Sequence, residues 1–195
     1  MSRIVLYTLM SLDGAVDDPH RYFPETGAGP GAPVFDEQLA DLEADMINRQ
    51  DAVLLGRGTY DQWSRYWPCS DEQPFANFIN SVPKYVLTST PLAADWAPAE
   101  PIAGPLPRAV ADLKALVDGD IGVHGSITVA HSLLQARLVD ELCLAVGRVI
   151  DPVGRRLFTG MEQLQELQLL QAAPTPSGSV WLRYQATTPA GRGTA

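Results

Sequence analysis

Cysteine, histidine and positive charge are all scarce in this 195-residue chain, which holds two Cys, three His and 14 Lys plus Arg against 23 Asp plus Glu, a net charge of −9. Cys69 and Cys143 stand far apart with no paired histidine spacing, which excludes a disulfide scaffold, supports no metal site and points to reduced thiols. No window gathers cations, and nucleic acids draw most of their affinity from cations on phosphates, so nucleic acid is excluded as a partner. The same balance constrains any phosphate-bearing ligand. Beyond a screening length of roughly 8 Å the global charge matters little, so local donors must hold it. No apolar run approaches the ~20 residues of a membrane helix. The opening "MSRIVLYTLMSLDG" has no small-residue cleavage site, so a cytoplasmic protein is expected. Internal repeats are absent as well.

What is present is an ordinary globular composition, 46% hydrophobic and 19% charged, enough for one core. One domain over 1–187 is expected, with a frayed tail over 188–195. Arg3–Met10 reads as a strand followed by the turn-rich "SLDGAVD". Residues 24–33, "PETGAGPGAP", cannot sit inside a helix or central strand and form a loop. Phe35–Asn48 places Leu39, Leu42 and Met46 on one stripe with carboxylates opposite, a helix. Asp51–Gly56 is a short apolar strand of the kind buried on both faces, and "RGTYDQWSRYW" follows with helical spacing. Further strands are expected at Pro83–Pro91, Pro101–Gly104, Ile121–Val123 and from Leu138 through "VDELCLAVGRVI". Helices are expected at Arg108–Asp118 and Ile127–Ala136. Leu164–Ala172 and Ser179–Ala186 flank the turn "APTPSG" as a terminal hairpin. Strand and helix alternating in this way predict an α/β three-layer sandwich: a mixed, mainly parallel central sheet, helices on both faces and a C-terminal antiparallel hairpin.

Ligands of such sheets sit outside the carboxyl ends of the strands. Three junctions lie there: "GRGTY" after the Asp51 strand, "TST" after the Lys84 strand and "HGSIT" after the Ile121 strand. Each offers small or hydroxyl residues, and two open directly into helices, whose first N–H groups lack intrahelical partners. Together they suit a phosphate and nucleotide cradle.

The segments "LYTLMSLDGAV", "AVLLGRGTYDQW", "KYVLTST", "GVHGSITVAHSLLQARLVDELCLAV" and "RRLF" resemble, in that order, the dihydrofolate reductase-like superfamily. Within it they are most similar to the branch typified by the C-terminal reductase domain of the bifunctional riboflavin-biosynthesis enzyme. The likeness runs from about Ile4 to about Tyr184. It implies hydride transfer from NADPH to a pterin, dihydrofolate-like or aminopyrimidine substrate. It also implies that Gly56, Arg57 and Thr59 cap a helix holding the cofactor pyrophosphate, that His124, Gly125, Ser126 and Ile127 face the same phosphates or the nicotinamide ribose, and that Val16 lies beside the cofactor. Two positions depart from the family pattern. His124-Gly125 stands where Gly-Gly is frequent, and Thr88, Ser89 and Thr90 stand where an Arg often binds the 2′-phosphate. Hydroxyls lack the bidentate fork of Arg, so NADPH and NADH both stay open.

Hydride chemistry belongs to the cofactor, and the protein must position the substrate and supply a proton. The resemblance implies that Asp13, in the loop after the first strand, lies beside the nicotinamide; otherwise it bonds its own turn before Gly14. Glu37, Asp41 and Asp45 share a helix face. Asp41 matches the substrate-binding acid of folate-reducing relatives by spacing, while three like charges on one face also describe a solvated surface. Tyr60, Trp63, Tyr66, Trp67, Phe75 and Phe78 crowd one region, as core and dimer surface or as a planar wall for a heterocycle. His124 reads as a hydrogen-bonded structural residue or a ribose contact. A small heterocycle and a second copy of the chain are the expected partners. A catalytically silent nucleotide-binding module and a flavin-binding protein remain the alternatives.

Overall fold

Eight strands, the central four of them buried on both faces, form one sheet in the computed structural model, which describes residues 2–24 and 35–187. They are β1 (Ile4–Met10), β2 (Gln50–Gly56), β3 (Lys84–Leu87), β4 (Ala99–Ile102), β5 (Asp120–Val123), β6 (Glu141–Val146), β7 (Leu167–Pro174) and β8 (Val180–Ala186), in spatial order β4-β3-β2-β5-β1-β6-β8-β7. The pairs from β4 through β6 are parallel, and β6–β8 and β7–β8 are antiparallel. The helices are α1 (Pro19–Tyr22), α2 (Glu37–Ile47), α3 (Arg57–Tyr66), α4 (Phe75–Ser81), α5 (Leu106–Leu116) and α6 (Ile127–Gln135). No helix among the described residues is long and apolar enough to cross a membrane.

Alternation along each strand divides the core in two. Ile4, Leu6, Leu54, Ile121 and Val123 pack under α5 and α6. Val5, Tyr7, Cys143, Ala145 and Trp181 pack under α2, and Val53, Leu55 and Val86 join Tyr60 of α3 and Ile79 of α4 on that same side. Period-2 side chains thus supply both interfaces of a three-layer sandwich. Helix ends are fixed by specific partners. Asp36 caps α2, accepting from the Leu39 N–H at 3.0 Å and from the Ser177 N–H at 2.8 Å, which ties the helix to the β7–β8 turn. Lys84 is 1% exposed, and its Nζ donates at 2.9 Å to the carbonyls of Ile79 and Val82, closing the end of α4.

The architecture is the one expected; the boundaries differ for physical reasons. The strand expected from Leu138 begins at Glu141, because Leu138 N–H closes the end of α6 on Leu133 O and Asp140 accepts from Ile4 N–H. The Pro83–Pro91 strand stops at Leu87, where Thr88 Oγ1 accepts from Thr90 N–H and turns the chain. The first hairpin strand starts at Leu167, since Gln165 Nε2 is held by Leu134 O at 2.7 Å. Helices α1 and α4 were not expected from the sequence. Apart from Pro24, the 24–33 loop lies outside the described residues, as does the expected tail.

At the amino ends of the strands, Glu141 is 1% exposed and meets Arg3, Arg49 and Arg183 at 3.0, 3.3 and 3.0 Å. Asp120 shares Arg3 and Arg49. Removing Glu141 leaves Arg183 without a carboxylate and Arg3 and Arg49 with Asp120 alone, and because these guanidiniums keep partial contact with water, Glu141→Leu is expected to cost about 2 kcal/mol. A lower urea midpoint at unchanged slope checks it.

Candidate functional site

Parallel β1, β2, β3 and β5 deliver their carboxyl ends to one edge of the sheet, and the expected junctions gather there. β2 breaks at Gly56 into α3, and β5 runs through His124 and Gly125 to Ser126, the cap residue of α6. Neither helix has a side-chain cap bond or an acid in its first turn. Their dipole ends and N–H groups stay available to an anion. The two corners touch. A Cβ on Gly56 would lie 2.9 Å from Ser126 Cβ, and one on Gly125 would lie 3.2 Å from Thr59 Cγ2. Gly56 is therefore needed for the corners to meet rather than for a ligand to approach. Gly58 is the open position, where a Cβ would meet nothing within 4 Å. Ile127 begins α6 beside them.

Arg57 spans this corner. Its Nε donates at 2.8 Å to Asp61, and its Nη1 donates at 2.8 Å to Thr90 Oγ1 and at 2.9 Å to Pro91 O. A cation missing from the segment after β3 is thus brought to it from α3, next to the hydroxyls of Thr88 and Thr90, which lie 3.2 Å apart. Ser89 is exposed between them.

The inner side of the edge is polar and enclosed. His124 Nε2 lies 2.7 Å from Gln50 Oε1, so Nε2 carries the proton and Nδ1 is an acceptor, buried without a partner. Gly122 makes this pairing possible: a Cβ there would fall 1.9 Å from Gln50 Oε1. The ring contacts Tyr7, Phe75 and Phe78 at centroid distances of 5.6, 5.0 and 5.7 Å. Burial lowers its pKa to about 3, which keeps the imidazole neutral. Trp63 extends this aromatic wall through Phe75, and a Cβ on Gly125 would lie 3.8 Å from its ring. Across from His124, Tyr7 Oη faces Glu43 of α2 without reaching a hydrogen bond to it. Burial pushes the Glu43 carboxyl up to about 7, and nearby Glu72 adds to the rise.

The two carboxylates singled out from the sequence sit elsewhere. Asp41 is exposed on the outer face of α2. Asp13 accepts from Asp151 N–H and Ser11 Oγ at 2.9 and 2.7 Å and pairs with Arg156 at 2.6 Å. The Asp151 N–H, then the Ser11 hydroxyl, hold its carboxyl below the ordinary carboxylate range. It fastens the loop after β1 to residues 151–156, and beside it Val16 is buried in the α5–α6 core, its N–H on Arg155 O. Glu43, Tyr7 and Gln50 were missed. Glu43 had a signal, being the one acid inside the stripe of Leu39, Met46 and Ile47 that α2 buries. Gln50 had none, since its partner lies 74 residues away. Among the described residues no group of three or more His, Cys, Asp or Glu could hold a metal.

Comparison with known proteins gives a consistent pattern. The family model of the RibD C-terminal domain matches residues 2–181. The uncharacterized protein YyaP of Bacillus subtilis (strain 168) is 28% identical over 144 residues, 72% of this chain and 76% of that protein. A pyrimidine reductase-like protein from Corynebacterium diphtheriae shares the fold at TM-score 0.63 and 17% identity, covering 96% of this chain and 92% of its own. Dihydrofolate reductase from Enterococcus faecalis, complexed with NADP(H) and RAB-propyl, does so at TM-score 0.60 and 14% identity, covering 95% and 97%.

The buried acid makes a titration prediction. Between its ordinary 4.5 and about 7, the native state holds a proton on Glu43 that the unfolded chain has released. Stability therefore falls as pH rises through that window. Glu43→Gln removes the slope, and at pH 8 the variant is expected to exceed the wild type by up to about 3 kcal/mol. Paired urea titrations at pH 5 and pH 8 measure it, and equal differences at the two pH values would refute a buried, proton-holding Glu43.

Proposed function

This chain belongs to the RibD C-terminal domain family, and on that premise we propose that it is a reductase that moves a hydride from NADPH to a flat nitrogen heterocycle such as an aminopyrimidine or pterin, with NADH as the alternative donor. The observation that carries this reading is the contact of two uncapped helix N-termini at Gly56 and Ser126. Together they offer converging N–H donors and positive dipole ends to one pyrophosphate. A fold neighbour complexed with NADP(H) supports the same ligand.

The residues fit such a dinucleotide. Gly58 leaves the approach to α3 open. The corners at 56–59 and 124–127 hold the pyrophosphate in this reading. Arg57 with Thr88 and Thr90 makes a charged and hydroxyl-lined place for a 2′-phosphate. When bound, the nicotinamide supplies the hydride. The chain supplies the rest. Trp63, Phe75 and Phe78 present ring faces and edges to a planar substrate. Glu43, its carboxyl pushed up to about 7 by burial, holds the proton that must accompany a hydride added across a C=N bond. It takes the acid role that the family resemblance had offered to Asp13 and spacing to Asp41. His124 stays a neutral acceptor for a ring or carboxamide N–H.

Thermal shifts with NADPH, NADH and FMN test the reading. A ligand at ~100 times its dissociation constant adds about 2.7 kcal/mol, and NADPH is expected to give the largest shift. Arg57→Ala is expected to weaken NADPH about tenfold and NADH less, since the lost contact is charge-assisted. Loss of nicotinamide absorbance on adding dihydrofolate, a dihydropterin or an aminopyrimidine then identifies turnover. Glu43→Gln should lower kcat and flatten its pH dependence near 7. NADPH binding without turnover on any of these would instead support a silent nucleotide-binding module, and a dominant shift with FMN a flavin protein.

A further inference from the structure

The segments that wall the aromatic volume carry charge of one sign. From Tyr22 to Asn48, the stretch that ends in α2, the chain holds six acids and no Lys or Arg. From Tyr66 to Pro83, the stretch that contains α4, it holds Asp71 and Glu72 and again no Lys or Arg. These two stretches supply Glu43 beside Tyr7, and Phe75 and Phe78 against His124. Glu72 is exposed, with Tyr66 Oη donating to its Oε1, yet its charge acts on the buried carboxyl of Glu43 and pushes it further up. A second negative group brought to this place meets the same field.

Guanidiniums that do reach the carboxyl ends of the strands are already committed. Arg21 pairs with Asp151 at 3.0 Å, Arg155 with Asp17 at 3.7 Å and Arg156 with Asp13 at 2.6 Å. Arg57 pairs with Asp61 at 2.8 Å, in the corner assigned to the dinucleotide. Arg148 extends to the β7–β8 turn, where a Cβ on Gly178 would lie 3.5 Å from its Cδ. Arg65 is exposed at the opposite end of α3 from Gly56. Around the rings, the polar groups left over are uncharged: Tyr7 Oη, Gln50 Nε2, His124 Nδ1 and Trp67 Nε1 are buried without a partner.

Resting on the reductase reading, we propose that the heterocycle this chain reduces bears no phosphate or carboxylate: the site takes a neutral or cationic flat ring and turns away the same ring carrying an anionic substituent. The uncharged donors and acceptors match the amide and amidine edge of such a ring. A phosphate ester brought beside Glu43 and Glu72 would give up water without gaining a guanidinium. Like charges set against each other in this way exclude the wrong partner more strongly than any missing contact does. The phosphates of the dinucleotide escape this field in the same reading, because the starts of α3 and α6 and Arg57 hold them at the other side of the corner.

Two matched pairs of compounds test this with NADPH present: 5-amino-6-ribosylaminouracil against its 5′-phosphate, and dihydropterin against dihydrofolate, whose glutamate adds two carboxylates. In each pair kcat/KM is expected to be at least about tenfold higher for the member without the anion. Raising the salt from about 0.05 M to about 0.5 M should shrink that ratio, since the exclusion is electrostatic. Glu72→Lys should shrink it at least about threefold, with Glu72→Gln in between. Thermal shifts of the NADPH-loaded protein with the same four compounds read the preference without turnover. Equal or better use of the anionic member of either pair at low salt overturns the proposal and leaves the reductase reading intact, as does a ratio that neither salt nor a folded Glu72→Lys moves. Binding of the uncharged members with no turnover removes the reductase reading and leaves the charge preference standing. Binding of none of the four removes both.

Discussion

The contact between Gly56 and the Ser126 turn is the constraint on which the rest of the candidate site depends. β2 and β5 are neighbours in the sheet, so their carboxyl ends emerge side by side, and the helices that follow start side by side as well. Closing the corners to van der Waals distance needs a residue without a side chain at 56. Once closed, they set two helix starts side by side, neither with a side-chain cap bond. On the proposed reading, an acidic chain would hold a phosphate there because the relevant field is set within a few ångströms by dipole ends and one guanidinium.

The same sheet face carries an interior that is polar where packing alone would have made it apolar. Gln50 reaches over Gly122 to His124, and Tyr7 faces Glu43, with Tyr7 Oη, Gln50 Nε2 and His124 Nδ1 all buried and unpaired. Each such group costs roughly 1–3 kcal/mol if nothing completes it. A core selected for stability alone would not keep three of them together next to an uncharged-when-buried acid. Gln50 opens β2, Tyr7 lies in the middle of β1 and His124 follows the end of β5, so the three share one stretch of sheet among aromatic rings, an environment suited to a hydrogen-bonding heterocycle.

Much of this was legible in the sequence, and what was not has identifiable causes. Apolar runs at Ile4–Met10 and Ala52–Leu55 can only be buried strands, and the small-residue corners at Gly56 and Gly125 follow from the strand-to-helix handover. Helix α4 was hidden because "FANFINS" has weak propensity. It forms because Ala76 and Ile79 are buried and Lys84, a strand residue, satisfies its terminal carbonyls. Asp41 drew notice through its distance from a motif, whereas burial distinguishes Glu43 two residues on. The Arg57–Thr90 contact spans 33 residues and the Gln50–His124 contact 74. No local pattern encodes pairings of that range; they appear only when strand order does.

On the proposed reading, strand order also explains how Glu43 and the Gly56–Ser126 corner would serve one reaction. β5 is inserted between β2 and β1, so the turn ending β5 touches α3 on one side while His124 at its start touches Tyr7 on the other. A dinucleotide held at the Gly56–Ser126 corner would have its reactive end carried toward β1, and Glu43 reaches β1 from above through α2. The acid is held dry on the face where a flat substrate would stack, and the anion donors lie on the rim where the diphosphate would stay wet. Separating the two by the width of one inserted strand lets burial raise one carboxyl while Arg57 and its threonine partners stay at the solvent-facing rim. A pairing of β1 directly with β2 would force both requirements into the same place.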